Sequence, residues 1–349
     1  MEILSAEEFL EKSERYPIVD VRSPAEFEEG HISQACNMAL FDNDQRAVVG
    51  TLYKKQGKDT AVIKGLEYVG PKMAKWAKQA KKMAVDNIIL IHCWRGGMRS
   101  QSMAWLFEKV GLKCYVLEGG YKAYRNHLLE CVAKIPKMIV LEGFSGSGKT
   151  DILHSLDHKG CQVIDLEGLA SHRGSAFGGI GLIPQPTTQQ FQNDLFHQVR
   201  QLDPSRPVWV EGESKFIGKV FLPDPFWDRM NHCALLVVEM TRDYRIKQLV
   251  KDYAKLESEK MKSAINILVK RLGNKRRDEI LEHYDTGRFD CVADLLLEYY
   301  DKTYEYSREH MKDKKHVITC ALPDTSAEDH ADILIQEIET KYDQIYGVC

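Results

Sequence analysis

The segment Ile88-Ile89-Leu90-Ile91-His92-Cys93-Trp94-Arg95-Gly96-Gly97-Met98-Arg99-Ser100 runs from an apolar stretch through a glycine-rich turn. It continues into a helical pattern carried on by Met103, Leu106 and Phe107. The spacing predicts a buried strand that hands over to a helix N-terminus, with Cys93 at the junction. Amides of the turn at Gly96 and Gly97 point toward the sulfur, Arg95 and Arg99 add positive charge, and Ser100 closes the loop. Such a setting favours a thiolate and holds an anionic adduct on it. Cys93 is therefore the candidate nucleophile. Cys36, Cys114, Cys131, Cys161, Cys233, Cys291, Cys320 and Cys349 have no comparable surroundings and read as structural.

A second anion-cradling turn follows about fifty residues on. The apolar run Met138-Ile139-Val140-Leu141 leads into Gly143-Phe144-Ser145-Gly146-Ser147-Gly148-Lys149-Thr150, a complete G-x-x-x-x-G-K-[ST] phosphate loop. The amides of Ser145, Gly146, Ser147 and Gly148 bind phosphate oxygens, and Lys149 reaches the terminal phosphates. The Thr150 hydroxyl can hold a divalent cation such as magnesium. These features recognise a polyphosphate without choosing between a nucleotide and a prenyl diphosphate. The aspartate that usually ends a neighbouring strand is missing. Glu211, after Val208-Trp209-Val210, takes its place, with Asp165 as rival, and this weakens the case for ATP hydrolysis. The tract Arg173-Gly174-Ser175-Ala176-Phe177-Gly178-Gly179-Ile180-Gly181 reads as a mobile lid that brings Arg173 to an anion. His172 and His197 stand alone, and no residue set has metal-ligand spacing.

Outward from the two loops, strand and helix signals alternate. Short strands are expected at 17–21, 114–117, 162–164, 208–211, 234–239 and 316–319. Helices are expected at 5–12, 59–83 (broken at Gly70-Pro71), 121–132, 150–156, 187–201 and 327–346, with a mostly helical stretch at 242–310. Alternation of this kind implies parallel sheets covered on both faces. Lys134-Ile135-Pro136-Lys137 is the expected junction, giving domains 1–133 and 134–349. With 349 residues, 44% of them hydrophobic, each domain can bury a core. No apolar stretch is long enough to span a membrane, and the acidic N-terminus lacks the features of a signal peptide. Nine scattered cysteines without a C-x-x-C pair fit a reduced cytoplasmic setting. Net charge is −3, but from Arg242 to Arg277 twelve Lys/Arg face four Asp/Glu. That stretch is the candidate polyanion platform, with Arg276 and Arg277 as its chosen residues.

Asp20-Val21-Arg22-Ser23-Pro24-Ala25-Glu26, the Cys93 loop and Leu117-Glu118-Gly119-Gly120-Tyr121 fall in the order and spacing of a rhodanese domain, which the first 133 residues resemble. Arg99 lies six positions after Cys93, one more than in the usual sulfurtransferase loop. This longer spacing resembles phosphatases and arsenate reductases on the same scaffold. Together with Gly143–Thr150, Arg173–Gly178, Pro184-Gln185-Pro186-Thr187 and Val208–Ser214, the loop makes the whole chain similar to the tRNA 2-selenouridine synthases, in which the long cysteine loop is normal. The resemblance implies an α/β fold with an N-terminal rhodanese-like domain and a P-loop NTPase-like domain ending in a helical, basic portion. It also implies a transferase acting on the wobble 2-thiouridine of tRNA, geranylating it from geranyl diphosphate and then exchanging the geranylthio group for selenium from selenophosphate. No tightly bound cofactor is expected, and Trp94 or Trp209 is available to stack on the base. The alternatives are a rhodanese-type sulfurtransferase, a P-loop small-molecule kinase, or a phosphatase or arsenate reductase.

Overall fold

The computed structural model describes residues 1–135, 137–175, 177–253, 258–269, 273–310 and 317–346. Pro136, Ala176 and Cys349, named in the readings above, lie outside them, as do residue 316 and residues 254–257 and 270–272 of the basic stretch. Two compact units are present, one of residues 1–131 with 187–197, the other of residues 132–186 with 198–349. The expected junction was 133/134. The units interleave in sequence, because the segment 187–197 belongs with the first.

The first unit comprises β1 (Glu2–Leu4), α1 (Ala6–Ser13), β2 (Ile18–Asp20), α2 (Pro24–Glu29), β3 (Cys36–Asn37), α3 (Asn43–Gln56), α4 (Lys58–Val69), α5 (Met73–Met83), β4 (Ile88–His92), α6 (Met98–Lys109), β5 (Lys113–Leu117) and α7 (Gly120–Val132). Its parallel sheet has the order β1-β5-β4-β2-β3. The central strand β4 pairs Ile91 with Val116 on one side and His92 with Asp20 on the other. Ile89, Ile91, Met103, Phe107, Cys114 and Trp76 share one core on a face of this sheet. A capping box between Ser5 and Glu8 starts α1. The break expected at Gly70-Pro71 is a short 3₁₀ turn, Gly70–Lys72, between α4 and α5.

The second unit continues with β6 (Met138–Gly143), α8 (Lys149–His158), β7 (Gln162–Ile164), α9 (Leu166–Ala170), α10 (Thr188–Val199, which packs in the first unit through His197), β8 (Val208–Glu211), β9 (Phe216–Ile217), β10 (Val220–Phe221), α11 (Asp224–Asn231), β11 (Ala234–Glu239), α12 (Arg242–Tyr253), α13 (Ser258–Ile267), α14 (Asn274–Asp285), α15 (Phe289–His310), β12 (Val317–Ala321) and α16 (Ala327–Tyr346). The parallel order is β12-β11-β6-β8-β7, with β9 and β10 forming a separate antiparallel hairpin. Ile139, Leu141, Ile152, Leu156, Leu236 and Leu334 form the core on one face. A third cluster joins Phe177 and Ile180 to Ile265, Ile280 and Leu296 of the C-terminal helices.

Both anion-cradling loops thus leave the carboxyl end of a strand inside a parallel sheet, where open α/β folds place their ligands.

Candidate active sites

In the first unit, β4 delivers Cys93 to the start of α6, where the thiol is 3% exposed. Its Sγ lies 3.2 Å from Ser100 Oγ, which in turn donates to the Gly97 carbonyl at 3.1 Å. The Ser100 proton can turn from that carbonyl to a thiolate, so the loop carries a donor for the charged sulfur. Arg99 is engaged by Glu26, with Nη1 2.6 Å from Oε2 and Nη2 3.3 Å from Oε1. Burial pushes the Glu26 carboxyl up, but the hydrogen bonds and charge of Arg99 outweigh it and hold the group below its ordinary value. Arg95 is exposed at the rim, and Trp94 is half-buried against Tyr121.

The loop is clamped from the β5–α7 turn. Tyr121 N donates to Cys93 O at 2.8 Å and Lys122 N to Trp94 O at 3.0 Å. Gly120 has φ +61°, and a Cβ there would overlap the Cys93 carbonyl and the amide nitrogens of Gly96 and Arg95. Gly120→Ala should therefore cost the ~1–2 kcal/mol of a left-handed backbone plus the displacement of the loop. A lower urea midpoint together with changed Cys93 alkylation by iodoacetamide is the expected result. Unchanged values for both would show that the turn does not set the loop.

Behind the loop lies a buried polar group. Arg22 and Asp20 are both fully buried, with Arg22 Nε 2.9 Å from Asp20 Oδ2 and Arg22 Nη2 2.7 Å from Gly30 O. The guanidinium stacks 3.8 Å from the Tyr121 ring centroid. Burial would raise the Asp20 pKa, but the neighbouring His92 and the Arg22 hydrogen bonds keep it below its usual value. Asn193 of α10 ties this group down: its Nδ2 donates to Tyr121 Oη at 2.7 Å and His31 O at 2.8 Å, and its Oδ1 accepts from Arg125 at 2.8 Å.

His92 is completely buried, and desolvation is the largest effect that lowers its pKa, to about 4. Unfolded histidine titrates near ~6.5, so on acidification the unfolded chain takes up this proton first. The native state should hold this contribution above ~6.5 and lose it as the pH falls toward 4, by about 3 kcal/mol. Urea unfolding from pH 7 to 4 should show this loss in the natural chain and a shallower slope in His92→Asn. Equal slopes would contradict it.

In the second unit, the phosphate loop runs from β6 to α8. Lys149 Nζ donates to the Gly143 carbonyl at 2.8 Å. Ser147 is 1% exposed, and its hydroxyl has no hydrogen-bond partner among the described residues. Arg245 of α12 braces the loop: its Nε donates to Ser145 O at 2.8 Å, while Asp301 holds the rest of the guanidinium. Gly146, at φ +77°, lets the chain pass close beneath the Arg245 carbonyl.

Carboxylates surround the loop. Thr150 Oγ1 donates to Glu167 Oε2 at 3.0 Å, and Glu167 N donates to Glu211 Oε1 at 2.5 Å. Burial and then repulsion from Glu167 raise Glu211 well above its ordinary value. Glu213 is pushed up to about 8 by burial and by Glu167, with Lys149 opposing. Burial also raises Glu167, against Lys149 and Thr150. Glu142 packs against Gly212, which has no Cβ to displace it. Asp165 instead caps α9 through Gly168 N at 2.7 Å and meets His154 at 3.0 Å. Among the described residues, no group of three or more His, Cys, Asp or Glu side chains is arranged to hold a metal ion.

A profile of the tRNA 2-selenouridine synthase AAA domain matches residues 136–337, and one of the rhodanese-like domain matches residues 5–127. The tRNA 2-selenouridine synthase of Shewanella denitrificans is 35% identical, over 83% of this chain and 88% of its own. That of Hydrogenovibrio crunogenus is 34% identical, over 84% and 89%. The chain belongs to the tRNA 2-selenouridine synthase family. Among solved structures, a rhodanese-related protein of Thermoplasma volcanium aligns with 36% of this chain and 93% of its own at 19% identity, with a TM-score of 0.23.

Cys93, Gly96, Gly97 and Ser100 form one loop, with Arg99 turned to Glu26 and Arg95 outward. Residues 143–150 form the phosphate loop, and Glu211 joins its carboxylates. In the Arg173 tract, expected as a lid, Phe177 and Ile180 are core residues and Arg173 N donates to Gly178 O at 3.0 Å. The tract reaches the carboxylates through Gly174, which lies against Glu213. Trp209 is 3% exposed within the core and offers no stacking face. Arg276 pairs with Glu298, and Arg277 with Asp278 at 2.6 Å. Sequence reasoning missed Glu167 and Glu213 as members of the cluster, Arg245 as the brace of the phosphate loop and Asn193 as the tie to Tyr121. Only the nearness of Glu167 to Asp165 and of Glu213 to Glu211 signalled any of them. Among the described residues no helix is long and apolar enough to cross a membrane.

Proposed function

We propose that this chain converts wobble 2-thiouridine in tRNA to 2-selenouridine in two transfers, as a tRNA geranyltransferase and selenotransferase. In the first, the thiocarbonyl sulfur attacks C1 of geranyl diphosphate. A C–S bond forms, the C–O bond to diphosphate breaks, and the base loses its N3 proton. Lys149 and the loop amides meet the charge that builds on the leaving diphosphate. The Thr150 hydroxyl and Glu167 carboxylate are hard oxygen donors and fit a magnesium ion, which would add positive charge there.

In the second transfer, selenium from selenophosphate adds at C2 and the C2–S bond breaks, so geranylthiol departs with a proton. Water takes the phosphoryl group, and phosphate is released. Cys93 and its loop amides receive the selenium donor, Ser100 supports a thiolate, and a reducing cytoplasm keeps that thiol available. The observation that carries the proposal is the pairing, in a member of this family, of an intact cysteine loop with an intact phosphate loop. A plain sulfurtransferase would leave the second loop idle. At the strand end Glu211 stands where an aspartate is usual, and burial and Glu167 raise its carboxyl well above the ordinary value.

Nucleoside mass spectrometry of 2-thiouridine tRNA incubated with the protein tests it. Geranyl diphosphate alone should yield the geranylated nucleoside, and added selenophosphate should convert that to selenouridine. No mass change in any mixture would overturn the proposal in favour of a kinase or phosphatase.

A further inference from the structure

Two stretches of the chain are strongly basic, and the structure treats them differently. From Arg242 to Arg277 several of the described cations meet acids brought from elsewhere: Arg242 meets Asp294 at 2.6 Å, Lys247 meets Asp324 at 3.0 Å, and Lys262 meets Asp285 at 2.6 Å. From Arg46 to Lys82 the chain carries ten Lys/Arg against two Asp/Glu. These lie on α3, α4 and α5 of the first unit. Lys54, Lys55 and Lys58 cluster at the α3–α4 turn, and Lys75, Lys78 and Lys82 share the face of α5 opposite the buried Trp76, Ala77 and Ala80. All six are exposed, and none forms an ion pair among the described residues. Apolar side chains sit among them: Tyr53 is 58% exposed, Ile63 62% and Leu66 64%.

This surface begins at the cysteine loop. Asn43, in the first turn of α3, accepts from Ala25 N at 2.9 Å, and Arg46 lies 3.8 Å from Glu26, the residue that grips Arg99. From that turn, α3 extends ~18 Å to Lys54 and Lys55, at 1.5 Å per residue. We infer that the α3–α5 layer is the docking surface for the tRNA phosphate backbone, with Tyr53 offered for stacking. The inference rests on the tRNA reading above. Unpaired lysines interleaved with exposed apolar side chains suit a folded polyanion whose reacting base sits at the loop.

The test uses the full chain, fluorescently labelled tRNA and a salt titration. Lys54→Gln/Lys55→Gln/Lys58→Gln should weaken binding about a hundredfold at 0.1 M salt and flatten the log–log salt slope by about two to three units. Lys75→Gln/Lys78→Gln/Lys82→Gln should act likewise, and Arg276→Gln/Arg277→Gln should act much less. Natural affinity and slope in both lysine variants, or a loss confined to the arginine variant, would overturn the inference. So would lysine-dependent binding to phosphatidylserine vesicles with tRNA binding untouched. Nucleoside mass spectrometry on the natural chain separates the two readings: lysine-dependent tRNA binding without product would retain the surface and remove the synthase assignment.

Discussion

Cys93→Ala is expected to stop selenium incorporation, lowering its rate at least about a thousandfold, while S-geranyl-2-thiouridine accumulates on the tRNA. The size follows from the site. The thiol is held by backbone on both flanks, through Tyr121 N to its own carbonyl and through the start of α6, and no other cysteine belongs to that loop. Cys114 cannot substitute, since it is buried in the core and burial pushes its thiol up to about 12. Cys93→Ser keeps the volume and the contact with Ser100 but supplies a hydroxyl in place of a thiol, so it should be nearly as inactive. Time-resolved nucleoside mass spectrometry, started from 2-thiouridine tRNA with both cosubstrates, reads the two steps in one experiment. Selenouridine forming at the natural rate in Cys93→Ala would show that selenium transfers directly from its donor to the base. Loss of geranylation as well would mean the cysteine supports the first step or the fold.

How much of this was legible in advance depended on whether a feature is local. Both anion-cradling loops are consecutive residues between an apolar run and a helical pattern, so Cys93 and Lys149 could be placed from spacing alone. Helix α3 was not expected, and the reason is physical: none of its residues is buried, so it carries no apolar stripe to recognise. Its exposed lysines then matter more than its packing. The basic stretch from Arg242 onward shows the opposite limit. Counting charges cannot reveal that Asp294, Asp301 and Asp324 come back to neutralise Arg242, Arg245 and Lys247. Helix α10 was expected as an element, but amphipathicity says which face is buried and not against what. Only the structure shows Asn193 holding Tyr121. The raised carboxylates are likewise a product of assembly, because Glu167 on α9, Glu211 at the end of β8 and Glu213 just beyond it repel one another only once packed.

Lys149→Ala is expected to lower geranylation about 10²–10³-fold, the loss typical of removing one donor aimed at developing charge, roughly 3–4 kcal/mol. Here the loss should sit at the upper end, because the ammonium also offsets Glu167 and Glu213 beside the loop. Without it, an incoming diphosphate meets carboxylates with less positive charge to balance them. Binding and the chemical step should both weaken, with kcat falling more than KM rises, since charge on the leaving oxygen grows toward the transition state. Lys149→Arg keeps the charge on a larger, planar head and should recover only part of the rate. The fold should survive, because the side chain's hydrogen bond to Gly143 O is worth only about 1 kcal/mol. The decisive control supplies tRNA already carrying S-geranyl-2-thiouridine, together with selenophosphate. On that substrate Lys149→Ala should match the natural chain, because diphosphate departure has been bypassed. An equal defect on both substrates would show that the phosphate loop serves the selenium step too, and would end the division of labour between the two loops.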